Sequence, residues 1–204
     1  MVFASSAATE DVLACTLHAN VGSDMASRTV VLVGFMGVGK SSVGRHLATL
    51  LGRPFLDTDA MVEKASGTTI PALFEQGEHV FRRRERAAVE DALGHEPSVA
   101  ALGGGALEQD PVLRLVLDRA FVVHVHVPWR LLRSQLPELV RGRPMMERRT
   151  VAEIHDLYLR RAARYRQAHL RVSVPRTGAD EAAHVIADVF ASLGAGADLG
   201  QPAS

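Results

Sequence analysis

The chain has 204 residues, 23 Lys or Arg against 23 Asp or Glu, and 47% apolar residues, enough for one ordinary domain with a sizeable core and cramped for two. The neutral balance and the few aromatic residues argue against a protein that grips nucleic acid through a positive field and stacked bases. No run approaches the roughly 18 apolar residues of a membrane span, and the single Cys15 can make neither an internal disulfide nor a Cys-rich zinc site, which fits a reducing cytoplasm.

In chain order, residues 1–27 carry no Lys or Arg and read as a loose tail whose deletion should matter little, with Met25 placed to serve as an alternative start. Thr29–Val33 is a β-branched apolar run of the kind buried in a parallel sheet, and it stops at Gly34. Val43, Leu47, Leu50 and Leu51 then repeat at helical spacing until Gly52 and Pro54, and Phe55-Leu56-Asp57 begins a second strand. Further strands are expected at 98–102, 121–127 and 170–174, with helices around 71–93, 111–118 and 150–168. The last residues, 191–204, read as a flexible tail. Alternating strands and helices imply an α/β domain over 28–190, a parallel sheet with helices on both faces. Ligands of such sheets bind beyond the carboxyl ends of the strands, so the residues after Val33, Leu56 and Leu102 should converge on one crevice.

The first of those loops, Gly34-Phe-Met-Gly-Val-Gly-Lys40-Ser41, fits G-x-x-x-x-G-K-[ST] between a strand and a helix. Its glycines let backbone N–H groups wrap a phosphate chain at a helix N-terminus, so Gly37, Val38, Gly39, Lys40, Ser41 and Ser42 are the expected contacts of a nucleoside triphosphate. Lys40 should reach the β- and γ-phosphates and Ser41 a Mg²⁺ ion. Asp57 and Asp59, closing the second strand, lie close to that ion, so one carboxylate can serve metal and the other substrate; capping of the next helix is the competing reading.

Two arginines stand on apolar stripes. Arg82 and Glu85 share one helical face with Phe81, Ala88, Val89, Ala92 and Leu93, and Arg161 shares another with Ile154, Leu157, Tyr158, Tyr165 and Ala168. A half-buried guanidinium needs an anion, and Glu85 can hold the Arg82 fork in place. The alternatives are a purely internal Arg82–Glu85 pair and a snorkelling Arg161. Residues 137–150, with Arg141, Arg143, Arg148 and Arg149, suit a mobile lid that brings an arginine over the transferring phosphoryl group. His124 and His126 share one strand face and are read as satisfied sheet-face histidines.

In order and spacing, GFMGVGKSSVGRHLATLLG, FLDTD, GEHVFRRRE, GGGALEQ, RGRP and RRAARY resemble the shikimate kinases over about residues 29–175. The cradle is widespread, but its combination with Asp-Thr-Asp, Phe-Arg-x-x-Glu and Gly-Gly-Gly is specific to that family. The resemblance implies an adenylate-kinase-like P-loop fold, three layers α/β/α around a five-stranded parallel sheet, with a substrate-binding segment at 58–94 and a lid at 137–150. It implies Mg²⁺-dependent transfer of the ATP γ-phosphoryl group to the 3-hydroxyl of shikimate, a step of aromatic amino acid biosynthesis, by a cytoplasmic monomer with no nucleic-acid or membrane partner.

Carried over by position, Lys40 and Ser41 serve phosphates and Mg²⁺, and Asp57 approaches the metal. Asp59 binds the substrate hydroxyls and orients the nucleophile. Arg82 and Arg161 hold the shikimate carboxylate, while Gly103, Gly104 and Gly105 contact a substrate hydroxyl or the phosphoryl region. Arg143 is the lid arginine and Arg133 lies against adenine. The chain departs from the family in Arg-Pro-Met-Met for Arg-Pro-Leu-Leu, in Arg-Ala-Ala-Arg-Tyr where a proline and a Leu/Ile-Tyr pair are usual, and in its two strand histidines. The alternatives are a kinase of another small polyol acid such as gluconate, and a non-catalytic ATP-binding regulatory module.

Overall fold

A computed structural model describes residues 14–17, 28–94, 97–141, 144–174 and 178–195. Its centre is β2 (Thr29–Val33), whose five residues are all buried because helices cover both faces of the sheet. The order across the sheet is β1 (Ala14–Leu17), β6 (Leu170–Ser173), β5 (Ala120–His126), β2, β4 (Val99–Ala101) and β3 (Phe55–Asp57). From β6 to β3 all pairs are parallel, the expected five strands.

The sixth strand differs from the sequence reading. Ala14–Leu17 lie within the segment read as a loose tail, yet they pair antiparallel with β6, Ala14 opposite Ser173 and Leu17 opposite Leu170. An unpaired edge of β6 is a row of donors and acceptors, and β1 satisfies part of it. The remainder of residues 1–27, Met25 included, lies outside the described residues.

After β2, α1 (Lys40–Leu51) starts at Gly39, in the left-handed region at φ 87°, and stops at Gly52. Here α2 (Thr58–Ser66) follows β3 directly, capped by Asp57. The single helix expected over 71–93 is two, α3 (Ile70–Glu75) and α4 (Glu78–Gly94), because Gly77 takes φ 119° between them. Within 58–94 these helices enclose a small apolar cluster of their own, Val62, Leu73, Phe81 and Ala88, separate from the main core.

A 3-10 turn, Ala106–Glu108, leads into α5 (Asp110–Arg119). The segment read as an irregular lid begins inside α6 (Trp129–Val140), continues as the single turn α7 (Pro144–Glu147), and ends at the capping box of α8 (Val151–Tyr165). The chain closes with α9 (Ala179–Ala195), so residues 191–195 continue a helix instead of starting a tail. Ala182, Ala183, Ile186 and Phe190 are buried on α9, which packs against α1. Among the described residues no helix is long and apolar enough to cross a membrane.

Register sets the site. Leu32 of β2, Ala101 of β4 and Asp57 of β3 stand side by side, so the chain leaves these three neighbours at one level of the sheet.

Candidate active site

The loop from Gly34 to Gly39 follows β2 and presses against the sheet. A Cβ on Gly34 would stand 2.3 Å from the Val125 carbonyl oxygen, so no side chain fits there. Lys40 bends back over the loop, its Nζ donating to the Gly34 and Phe35 carbonyls at 3.0 Å each. These two bonds hold the ammonium against its own loop. Val38 is buried, Gly37 and Ser42 are exposed, and the end of α6 approaches Gly37 so closely that a Cβ there would meet Leu139 Cδ2 at 2.1 Å.

Beside this cradle Ser41 Oγ donates to Asp57 Oδ2 at 2.8 Å. The other oxygen, Oδ1, accepts from the N–H groups of Asp59 and Ala60 at 3.1 and 3.4 Å. Asp57 thus caps α2, the competing reading, with one oxygen and meets Ser41 at the start of α1 with the other. Because β3 ends at Asp57, Asp59 belongs to the first turn of α2, and its carboxylate points to Gly103 across the crevice.

The glycine turn after β4 is where the other groups meet. A Cβ on Gly103 would stand 2.6 Å from Asp59 Oδ1 and 2.9 Å from Glu85 Oε1. One on Gly105 would stand 2.8 Å from Arg82 Nη1 and 2.9 Å from Arg161 Nη2. Two arginines 79 positions apart in sequence therefore converge on one turn, and the absence of a side chain at Gly105 lets them in, as its absence at Gly103 admits Asp59 and Glu85.

Each guanidinium is held from behind. Arg82 Nη1 donates to Glu85 Oε2 at 2.7 Å, and its Nε and Nη2 donate to Glu78 Oε1 at 3.1 Å. Burial works against the charge of Arg82, but Glu85 and Glu78 outweigh it and its pKa lies above the ordinary guanidinium value. Burial pushes the carboxyl of Glu85, only 1% exposed, above its usual range while Arg82 pulls it back, and Gln109 Nε2 donates to it at 3.1 Å. Arg161 sits over the Phe35 ring at 5.8 Å and donates to Glu108. Tyr165, whose hydroxyl burial drives up in pKa, donates to the Gly104 carbonyl oxygen.

These groups line a cavity of about 710 Å³ bounded by Asp59, Arg82, Glu85, the glycine turn and Arg161, with Met36 of the cradle on its near side and Phe74, Phe81 and Leu157 supplying apolar wall. Arg148 and Arg149, from the segment expected to act as a lid, also line it. Arg133 is exposed on α6 and does not line the cavity; Arg143 lies outside the described residues. Glu78, Glu108, Gln109 and Leu139 were not singled out from the sequence. The available signal was position: Glu108 and Gln109 directly follow the glycine triplet.

Both ring nitrogens of His126 have partners within the protein. His126 hydrogen-bonds with Ser173 Oγ and Tyr158 Oη at 3.2 and 3.1 Å, and burial, helped by Arg171, lowers its pKa to about 4.

The family model of shikimate kinase matches residues 36–191. The chain belongs to the shikimate kinase family. Shikimate kinase of Bacillus licheniformis is 34% identical over 165 residues, covering 80% of this chain and 93% of that protein. Shikimate kinase of Acinetobacter baumannii is 38% identical over 168 residues, covering 80% and 92%. Among solved structures, shikimate kinase from Acinetobacter baumannii in complex with shikimate superposes with a TM-score of 0.72 at 35% identity, covering 81% of this chain and 94% of that one. A gluconokinase from Sinorhizobium meliloti shares the fold, with a TM-score of 0.52 at 17% identity over 83% of this chain and 95% of that one.

Proposed function

We propose that the protein is a shikimate kinase that transfers the γ-phosphoryl group of ATP to the 3-hydroxyl of shikimate, giving shikimate 3-phosphate and ADP. The observation that carries this reading is the convergence of Arg82, Arg161 and Asp59 on Gly103–Gly105, in a cavity that Met36 of the phosphate cradle also lines. Two guanidinium groups at one point suit a carboxylate, which they bind through charge-assisted, forked hydrogen bonds. A carboxylate across from them suits the hydroxyls of the same small molecule.

In this mechanism the N–H groups of Gly37–Ser42 and the Lys40 ammonium hold the triphosphate, Lys40 exchanging its two loop carbonyls for phosphate oxygens. Arg82 and Arg161 fix the acceptor by its carboxylate and Asp59 aligns its hydroxyl. As the hydroxyl oxygen bonds to the γ-phosphorus, the bond to the bridging β-oxygen breaks and the hydroxyl proton passes to Asp59 or to the transferred phosphoryl group. The loose transition state leaves modest work for a base, so alignment is the larger contribution of Asp59. Residues 137–150, whose Arg148 and Arg149 line the cavity, are the segment we assign to closing it against water, and Arg143 is the arginine we assign to the phosphates.

Ser41 and Asp57 fit a Mg²⁺ ion: their facing oxygens, 2.8 Å apart, are the hard donors this ion takes, and phosphates and water complete its shell. Bound there, it supplies neutralisation of charge on the β- and γ-phosphates. Among the described residues no group of three His, Cys, Asp or Glu is arranged to hold a metal alone, in keeping with an ion that arrives with its nucleotide. A monomer in the cytoplasm is the assembly we assign, since Leu50, Val151 and Leu159, the only large apolar side chains exposed among the described residues, offer little apolar surface to a second copy.

The test is ADP release measured by a coupled assay with shikimate, gluconate and quinate as acceptors. Turnover with shikimate is expected; turnover only with another acceptor refutes the assignment, and nucleotide-dependent partner binding without any acceptor phosphorylation supports a regulatory module instead.

A further inference from the structure

Arg161 has a partner inside the GGGALEQ segment to which no role was assigned above, Glu108. Its Nε donates to Glu108 Oε1 at 2.8 Å, and its Nη2 lies 2.7 Å from the same oxygen. Both contacts use one edge of the guanidinium. A guanidinium offers a second forked edge, Nη1 with Nη2, and this one faces the glycine turn: Nη1 lies 3.5 Å from the place of a Cβ on Gly104, and Nη2 lies 2.9 Å from that of Gly105. Glu108 therefore occupies the outer edge and leaves the inner one to the cavity.

Local backbone bonds place Glu108 there. Ala106 N–H donates to the Gly103 carbonyl and Glu108 N–H to that of Gly105, both at 3.0 Å. The glycines that floor the cavity thus also aim this carboxylate. One turn further along α8, Arg164 meets Asp110 at 2.6 Å, and Tyr165 bonds to Gly104. The helix is anchored by those two contacts; the direction of the Arg161 head group is governed by Glu108.

We propose that Glu108 is a positioning residue that sets acceptor affinity by holding Arg161 with its second edge turned into the cavity. This rests on the shikimate kinase reading and deepens it. A glutamate competing with the acceptor for Arg161 would have to sit on the cavity edge of the guanidinium. Glu108 instead lies at the rim, its side chain 38% exposed against 14% for Arg161. Without Glu108 the long arginine stem recovers other rotamers, and the cost of ordering it falls on acceptor binding.

The experiment uses the full chain as wild type, Glu108→Ala and Glu108→Gln, each alone and with Arg161→Ala, read by steady-state kinetics and by calorimetric titration with shikimate. Glu108→Ala should raise the acceptor KM and Kd about fivefold while kcat and the KM for ATP stay within about twofold. Glu108→Gln, which keeps an oxygen to accept from Nε–H, should restore most of that affinity. In the Arg161→Ala background, Glu108→Ala should add nothing. Tighter shikimate binding by Glu108→Ala would make Glu108 a competitor. Unchanged binding, or an equal loss without Arg161, would leave it no positioning role; any of these results overturns the proposal. A wild-type chain that neither binds nor phosphorylates shikimate is a different failure: it overturns the kinase reading and this proposal with it.

Discussion

Gly105→Ala tests the arginine pair without touching either arginine. Gly105 has φ −102°, a backbone conformation alanine adopts readily, so the substitution puts no strain on the chain itself. The new methyl would stand 2.8 and 2.9 Å from the two terminal nitrogens of Arg82 and 2.9 Å from Arg161 Nη2, where ordinary contact begins at 3.4 Å. Each head group must therefore retreat by at least about half an ångström, and both can, being the ends of flexible side chains. Since a misplacement of about 1 Å can cost roughly 100-fold in rate, the acceptor kcat/KM should fall about 10- to 100-fold, or about 1.4–2.7 kcal/mol of transition-state binding. The KM for ATP should stay within about twofold, because the methyl faces the arginines and not the cradle. Coupled ADP release with shikimate varied at saturating ATP, then the reverse, separates the two, and a thermal melt confirms the fold. An unchanged acceptor KM in a natively folded variant would refute the idea that these guanidinium groups read the acceptor at this turn.

Asp59→Asn should lower kcat by roughly 100-fold or more while calorimetry finds ATP binding intact, since its carboxylate meets the acceptor side at Gly103. Gly34→Ala should destabilise the fold by about 2–3 kcal/mol, because its methyl meets backbone at 2.3 Å and cannot be relieved by a side-chain rotation. That corresponds to a melting temperature lower by roughly 5–10 °C, read by calorimetry. His126 titrates near pH 4 in the fold and at 6.5 when unperturbed. Below pH 6.5 the unfolded chain binds the extra proton, so the stability from neutral His126 is complete above that value and is lost as pH falls toward 4. Urea midpoints at pH 7.5 and 5 should show a smaller acid loss in His126→Gln than in the wild type; equal losses would show that the histidine is not held neutral.

What the sequence made legible was what is local. Thr29–Val33 is a strand between buried neighbours, and its apolar run says so; the cradle after it is a contiguous pattern. The two arginines were legible because helical periodicity puts Arg82 beside Phe81, Glu85 and Val89, and three of those four are buried as the stripe requires. Local chemistry also hid things. Gly77 splits one helical pattern into α3 and α4, and a glycine inside a long periodic run is easily absorbed by it. In α6 Pro137, with Arg130 and Arg133 before it, masks a helix whose Leu132 and Leu136 are buried one turn apart. Ala14–Leu17 became a strand through pairing with β6, more than 150 residues away, and no short-range pattern carries that information.

The same distinction separates the parts of the site. Glu85 is three residues from Arg82 and could be read with it; Glu108 reaches Arg161 across 53 residues, and Gln109 reaches Glu85 across 24. These distant partners change what the arginines can do. Among the described residues along the cavity, Arg82, Arg148, Arg149, Arg160 and Arg161 are matched in formal charge by Asp59, Glu75, Glu78, Glu85 and Glu108. A net positive field cannot then select a carboxylated acceptor. On the proposed reading, selection then comes from geometry: the guanidinium groups of Arg82 and Arg161, each with a carboxylate behind it, meet at a glycine turn that leaves room for an acceptor anion.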